Sequence, residues 1–188
     1  MTVLWIFLTL VILIGLYVVL TYNRFVKLKV NVEEAWSDIE VQMKRRYNLI
    51  PNLISTVKGY AKHERGAFEA VTKARTAAMK STGGAESQGK AEGMFTSALK
   101  TLFAVAEAYP ELKADKSFQK LQAELSALED YIQKARRFYN GNVRLINTLV
   151  NQFPSNLVAR AFAFITAEFF ELAEAEAAAA KQPPKVEF

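Results

Sequence analysis

Hydrophobic and polar positions divide this chain into two regimes. No Asp, Glu, Lys or Arg occurs before Arg24, and residues 3–22 form one apolar run relieved only by Thr9, Gly15 and Thr21. At a helical rise near 1.5 Å per residue the run is roughly 30 Å long, the thickness of a bilayer's hydrocarbon core. It predicts a transmembrane anchor over residues 1–23. A cleavable secretory signal would show a positive start, a shorter apolar stretch and small residues at a cleavage site, and none of these is present. Trp5 near one end and Tyr17 and Tyr22 near the other suit the interfacial positions where amphipathic rings settle.

Beyond the run, apolar residues recur at alternating steps of three and four, the period of a helix in a bundle seam rather than that of a strand. Trp36, Ile39, Met43, Tyr47, Ile50, Ile54, Val57 and Ala61 lead on to Phe68 and Val71. Phe95, Leu99, Leu102, Ala106 and Tyr109 form a shorter seam closed by Pro110. The most regular runs from Phe118 through Leu125, Ile132, Tyr139, Asn142 and Ile146 to Phe153, with Pro154 as a break. Pro51 reads as a kink because the seam stays in phase across it. Asn142, polar within a seam, is a candidate for fixing register. The clearest loop is Ser81-Thr82-Gly83-Gly84. The expected fold is all-α: an N-terminal transmembrane helix followed, over residues 24–180, by an antiparallel up-and-down bundle of about four helices. Their expected spans are about 30–80 kinked at Pro51, 86–109, 115–152 and 155–180, with 181–188 a disordered tail. Whether the transmembrane helix runs straight into the bundle stays open, since Asn31 with Glu34 could cap a new helix.

Composition narrows the chemistry. The chain has 188 residues, 51% of them hydrophobic, which suits one folded domain and excludes intrinsic disorder. With no cysteine and one histidine, disulfides, thiol nucleophiles, Cys-ligated metals and Ser-His triads all lack their materials. The net charge of +5 points to an acidic partner: nucleic acid, anionic lipid or an acidic protein face. Nucleic acid would call for a recognisable reading motif, and none is present. Arg24, Lys27 and Lys29 follow the apolar run closely, so the positive-inside rule puts the short N-terminus outside and the large C-terminal part in the cytoplasm. The same three residues would face anionic headgroups at the membrane surface.

Several short patterns resemble catalytic motifs and fall short of them. Residues 84–91 read G-A-E-S-Q-G-K-A, with Ala91 where a P-loop needs a hydroxyl for magnesium, and a helix precedes them where a strand should. Two S-x-x-K matches, at Ser55 and Ser117, lack their companion motifs. His63-Glu64 begins like a zincin, but Ala67 takes the second histidine's place. Two polar stripes are of more interest. Asp38, Arg45, Asn48 and Asn52 line one helix beside its seam, and Arg136, Asn140, Arg144, Asn147 and Asn151 line another. They read either as interhelical bonds that a bundle needs when it buries polar groups, or as a groove that binds a partner segment.

The stretches Tyr22-Asn23-Arg24, Glu34-Ala35-Trp36-Ser37-Asp38-Ile39 and Lys44-Arg45-Arg46-Tyr47-Asn48-Leu49-Ile50-Pro51-Asn52-Leu53 resemble the LemA family. So do Tyr109-Pro110-Glu111-Leu112-Lys113, Ala135-Arg136-Arg137-Phe138-Tyr139-Asn140 and Phe153-Pro154-Ser155-Asn156-Leu157. Gly141 departs from the family's usual alanine, and residues 162–170 match loosely. The resemblance implies a bacterial single-span protein of the cytoplasmic (inner) membrane, a bundle of about four helices and no established enzymatic activity. It also implies association with organelle formation in magnetotactic bacteria and with membrane stress, hence assembly or scaffolding.

The resulting expectation is a membrane-anchored scaffold or adaptor that organises other proteins, without catalysis, cofactor or metal. Its partners would be the lipid bilayer and either another protein or a second copy. The alternative is a self-assembling or lipid-binding membrane coat.

Overall fold

The computed structural model describes residues 1–171. They form six helices: α1 (Thr2–Tyr60), α2 (Arg65–Lys80), α3 (Gly84–Glu107), α4 (Pro110–Ala114), α5 (Lys116–Asn151) and α6 (Ser155–Ala161). No helix break separates the apolar run from the seam of α1, so Asn31 and Glu34 lie inside one helix and cap nothing. Within that helix the hydroxyl of Thr9 donates to the Trp5 carbonyl at 2.8 Å, which satisfies it without water. The chain divides into two compact units: Met1–Ser37 with Arg137–Ala167, and Asp38–Arg136 with the residues from Glu168.

In the first unit, Phe25 is the centre of a core with Ile146, Leu149, Val158 and Ala159, flanked by Val18, Leu28, Val32, Phe164 and Ala167. Val18 and the buried Thr21 belong to the expected anchor. Packing therefore begins before residue 24. Trp36 meets Tyr139 at 5.4 Å between ring centres, and Phe25 meets residues further along α5, so α1 and α5 run antiparallel. The chain turns after Asn151, where the Ser155 hydroxyl donates to the carbonyls of Leu149 and Gln152. The helix expected over 155–180 is much shorter. It ends at Ala161 with a Schellman cap: Phe164 N–H donates to the Ala159 carbonyl, Ala163 N–H to that of Arg160, and Ala163 takes φ 56°. Residues past this cap lack helical structure as far as 171. The remainder of that expected helix and the tail at 181–188 lie outside the described residues.

In the second unit four helices alternate in direction. Arg75 Nε donates to the Tyr47 carbonyl at 2.8 Å and Lys58 lies over Phe68, which sets α2 antiparallel to α1. Tyr47 touches Phe95, and the Tyr109 hydroxyl donates to Glu64, so α3 returns parallel to α1. Arg46 reaches Glu129 and Tyr60 reaches Asp115, which makes α5 antiparallel again. Ile39, Met43, Ile50, Leu53 and Val57 of α1 close the core against Val71, Phe95, Leu102, Phe118 and Leu125.

Two expectations change here. The helix expected over 30–80 does not continue to 80: α1 carries Pro51 inside it, and a break falls at residues 61–64. The seam hides this break because Ala61 and Phe68 are seven residues apart, in phase whether or not the chain reverses between them. Reversal wins because it lets Phe68 and Val71 pack back on α1, while Gly59 and Gly66 weaken a straight continuation. Phe153, expected as the last seam member of α5, is 74% exposed.

Candidate functional site

A buried polar cluster lies across the second unit's core. Arg46 follows Met43 by three residues and precedes Ile50 by four, so it falls on the seam face, and its side chain is 3% exposed. Its guanidinium donates to the buried carboxylate of Glu92 on α3 and to Glu129 on α5, and stands 5.0 Å above the Phe95 ring. The Tyr47 hydroxyl donates to the other oxygen of Glu92 and accepts from Gln88 Nε2 at 3.2 Å. That amide also donates to Glu92 at 3.2 Å and to the Ala78 carbonyl at 3.1 Å. Burial, then the adjoining Glu92 charge, pushes the Tyr47 phenol well above its ordinary range. The cluster ties α1, α2, α3 and α5 together. Its members are turned toward each other, and Arg46 Nε has no acceptor among the described residues. The arrangement fixes helix register.

An open groove lies on the surface of the same unit, between the end of α1 and α2. Three adjoining clefts share Lys58, the largest about 550 Å³. Their apolar lining comes from Ile50, Pro51, Ile54, Phe68 and Ala77. Around this floor stand Lys58, Lys62, Arg65, Lys73, Arg75 and Lys80, with Glu69 as the one carboxylate in the lining. Helical spacing produces the pattern: on α2, Arg65, Glu69, Thr72, Lys73, Thr76 and Lys80 follow one another at steps of three and four or next to such steps, opposite the buried Val71 and Ala78. Six cations against one anion is a strong local excess in a chain whose net charge is +5.

The residues expected to matter are distributed differently. Arg24, Lys27 and Lys29 are exposed on α1 beyond the apolar run, with Lys29 3.9 Å from Glu33. Asp38, Arg45, Asn48 and Asn52 are exposed on α1 in the second unit, and Arg136 is half-buried in that unit. Asn140, Arg144 and Asn147 belong to the first unit. There Asn147 is engaged by backbone: its amide donates to the Ala167 carbonyl at 2.9 Å and its oxygen accepts from Ala167 N–H at 2.8 Å. Asn142 is buried, and its amide donates to the Phe138 carbonyl of its own helix rather than across the seam.

Neither the α1–α2 groove nor the Arg46 cluster was singled out from sequence. A signal for the cluster existed: Ala85, Gln88 and Glu92 extend the seam of Phe95, Leu99 and Leu102 backwards at steps of three and four. The P-loop-like glycines have a packing role. Gly84, at φ 80°, opens α3 beside Glu168, whose carboxylate accepts from Glu86 N–H at 3.4 Å. A Cβ on Gly89 would stand 2.0 Å from the Glu171 carbonyl. The stretch read as a loop at 81–84 thus ends in the first residue of a helix over which the later chain passes.

Among the described residues one helix, at the N-terminus, is long and apolar enough to cross a bilayer, and its residues 3–16 are all exposed, which suggests a single membrane anchor there. Together with the packed helices beyond it, this defines a membrane-associated helical protein. The LemA family model matches residues 35–188, and the chain belongs to the LemA family. It is similar to two copies of Magnetosome protein MamQ from Paramagnetospirillum magneticum, 26% identical over 80% of this chain and 64% of theirs. MamQ of Magnetospirillum gryphiswaldense is 26% identical over 79% of this chain and 64% of its own. Protein LemA of Metamycoplasma hominis is 25% identical over 82% of this chain and 70% of its own. The chain thus spans a little under two thirds of the length of the MamQ proteins it matches.

Proposed function

We propose that this LemA-family protein is a membrane-anchored adaptor whose helical part faces the cytoplasm and holds an acidic segment of another protein, without catalysing a reaction. The observation that carries the reading is the α1–α2 groove, with an apolar floor and a surplus of cations around it. Such a surface attracts an acidic segment through its field and retains it by burying apolar side chains. Anchoring is supplied by α1, which contributes one wall of the groove and the apolar run in a single helix. Arg24, Lys27 and Lys29 support the cytoplasmic orientation. Arg46 and Glu92, the buried charged pair, serve the bundle's rigidity in this reading. The relatives named magnetosome proteins are consistent with work at an organised membrane.

The test is photo-crosslinking in native bacterial membranes, with a photoreactive residue replacing Thr76, followed by mass spectrometry. The expected result is one abundant protein product, crosslinked through an acidic segment and lost in Lys73→Glu/Lys80→Glu at equal abundance. Arg136→Ala/Asn140→Ala tests the polar stripe in parallel. Self-crosslinks alone, unchanged by either pair of substitutions, would overturn the adaptor reading in favour of a self-assembling coat. Exposed Phe153, Leu157 and Ile165 in the first unit are the observation that favours such a lipid-contacting alternative.

A further inference from the structure

The first unit exposes large apolar side chains where a water-soluble surface would carry polar ones. Phe153 is 74% exposed, Leu157 57%, Phe162 49% and Ile165 79%. All four belong to the short stretch formed by the α5–α6 turn, α6, its C-terminal cap and the residue after it.

Two independent observations fix this stretch against the end of the apolar run of α1. The first is direct contact. The Phe162 ring stands edge-on to Tyr22 with centres 4.9 Å apart, and Phe164 meets the same tyrosine at 5.6 Å. Phe164 also stacks on Phe25 at 4.6 Å with 12° between the planes. The left-handed Ala163 between them makes this possible, because the Schellman turn presents both phenylalanines to α1. The second is register. Trp36 and Tyr139 pair across antiparallel helices, and equal steps along each lead to Tyr22 on α1 and, two residues past the end of α5, to Phe153. Tyr22 is the last residue of the apolar run, and Arg24 follows two positions later.

We infer that the α5–α6 turn and the α6 cap form a second membrane contact, which seats Phe153, Phe162 and Ile165 at the headgroup boundary beside the spanning helix. The inference rests on the reading of residues 3–22 as a span. Lipid is the occupant because Phe162, one of the exposed residues, adjoins through Tyr22 an apolar helix surface that itself requires lipid. Aromatic rings are favoured at that depth, and exposed Arg160 on α6 is suited to the adjoining phosphates. A wedge of this kind holds the first unit against the bilayer at two places. It would restrain tilt and rotation of α1.

The absence of cysteine makes single-cysteine labelling direct. The full-length variants Phe153→Cys, Ile165→Cys, Leu10→Cys and Met79→Cys, each labelled with the environment-sensitive fluorophore NBD, are placed in phosphatidylethanolamine–phosphatidylglycerol vesicles. Circular dichroism confirms equal helix content. Expected are blue-shifted emission and at least about two-fold quenching at Phe153 and Ile165 by lipids with a nitroxide near the headgroup. The Leu10 label should be quenched by a nitroxide deep in the chain, and the Met79 label by neither. Quenched Leu10 with Phe153 and Ile165 as wet as Met79 would overturn the wedge alone. An unquenched Leu10 would overturn the span and the wedge together. Blue-shifted but unquenched labels at Phe153 and Ile165 would mean that protein covers the patch, which also overturns it.

Discussion

The backbone carbonyl of Glu171 occupies the place where any side chain on Gly89 would begin, 2.0 Å from an ideal Cβ. Helix α3 and the segment that crosses it are therefore in backbone contact, and Phe170 beside the crossing is 1% exposed. Gly89→Ala must push the segment away, and overpacking of this kind costs about 1–3 kcal/mol. Gly141 is the contrast, in the interior of α5 with open space around its Cα. Gly141→Ala should stabilise the protein by about 0.5–1 kcal/mol through helix propensity. Denaturant unfolding of the two variants gives opposite shifts, and hydrogen exchange should rise at residues 168–171 only in Gly89→Ala. Equal and small shifts would refute the close crossing.

Arg46 and Glu92 form a pair that packing has removed from water, with side chains 3% and 2% exposed. Removing one partner leaves a buried charge, so Arg46→Met or Glu92→Leu alone should destabilise by about 3–5 kcal/mol. The double variant should recover much of that loss, because the one carboxylate left without Arg46, that of Glu129, is 30% exposed and can turn to water, while the buried volume is filled by apolar groups. Thermal and urea melts of the four proteins close the cycle. Additive losses would show that the pair is not coupled.

Asp115 caps α5, where its carboxylate accepts from Phe118 N–H at 2.8 Å and from the Tyr60 hydroxyl at 3.0 Å. The Phe118 bond first, then the Tyr60 bond, holds the Asp115 carboxyl below its ordinary value. Tyr60 is correspondingly raised, because its hydroxyl donates to that carboxylate. A carboxylate with a lowered folded-state pKa contributes stability above the ordinary aspartate value and loses it as pH falls through the folded value. Asp115→Asn should therefore lower Tm at neutral pH, with the deficit shrinking as the pH falls through the acid range where the wild-type carboxylate becomes protonated. A deficit that stays constant from neutral pH down through that range would refute the assignment.

The legible part of the fold was what depends on periodicity alone. An uncharged run before Arg24 and seams at steps of three and four dictate helices whatever the chain later packs against, because helix geometry puts such positions on one face. They specified an anchor, an all-helical bundle and most of its core: Ile39, Met43, Ile50, Phe95, Leu102, Phe118 and Ile132 are all buried.

Tertiary structure decided what periodicity leaves degenerate. Ala61 and Phe68 keep phase through a reversal, so the end of α1 had no sequence signature as sharp as the core it serves. Of the adjacent Arg45 and Arg46, both border the seam of Met43, Tyr47 and Ile50; Arg46 is the buried one because Glu92 and Glu129 converge on it from two other helices. The cationic groove is likewise assembled from two helices joined by a short turn. By itself the chain's order of residues determined which segments are helical and which faces avoid water, since both are local properties of a 3.6-residue turn. Which polar groups are desolvated, and which cations share a surface, depends on neighbours distant in sequence, and only the packed helices supply those.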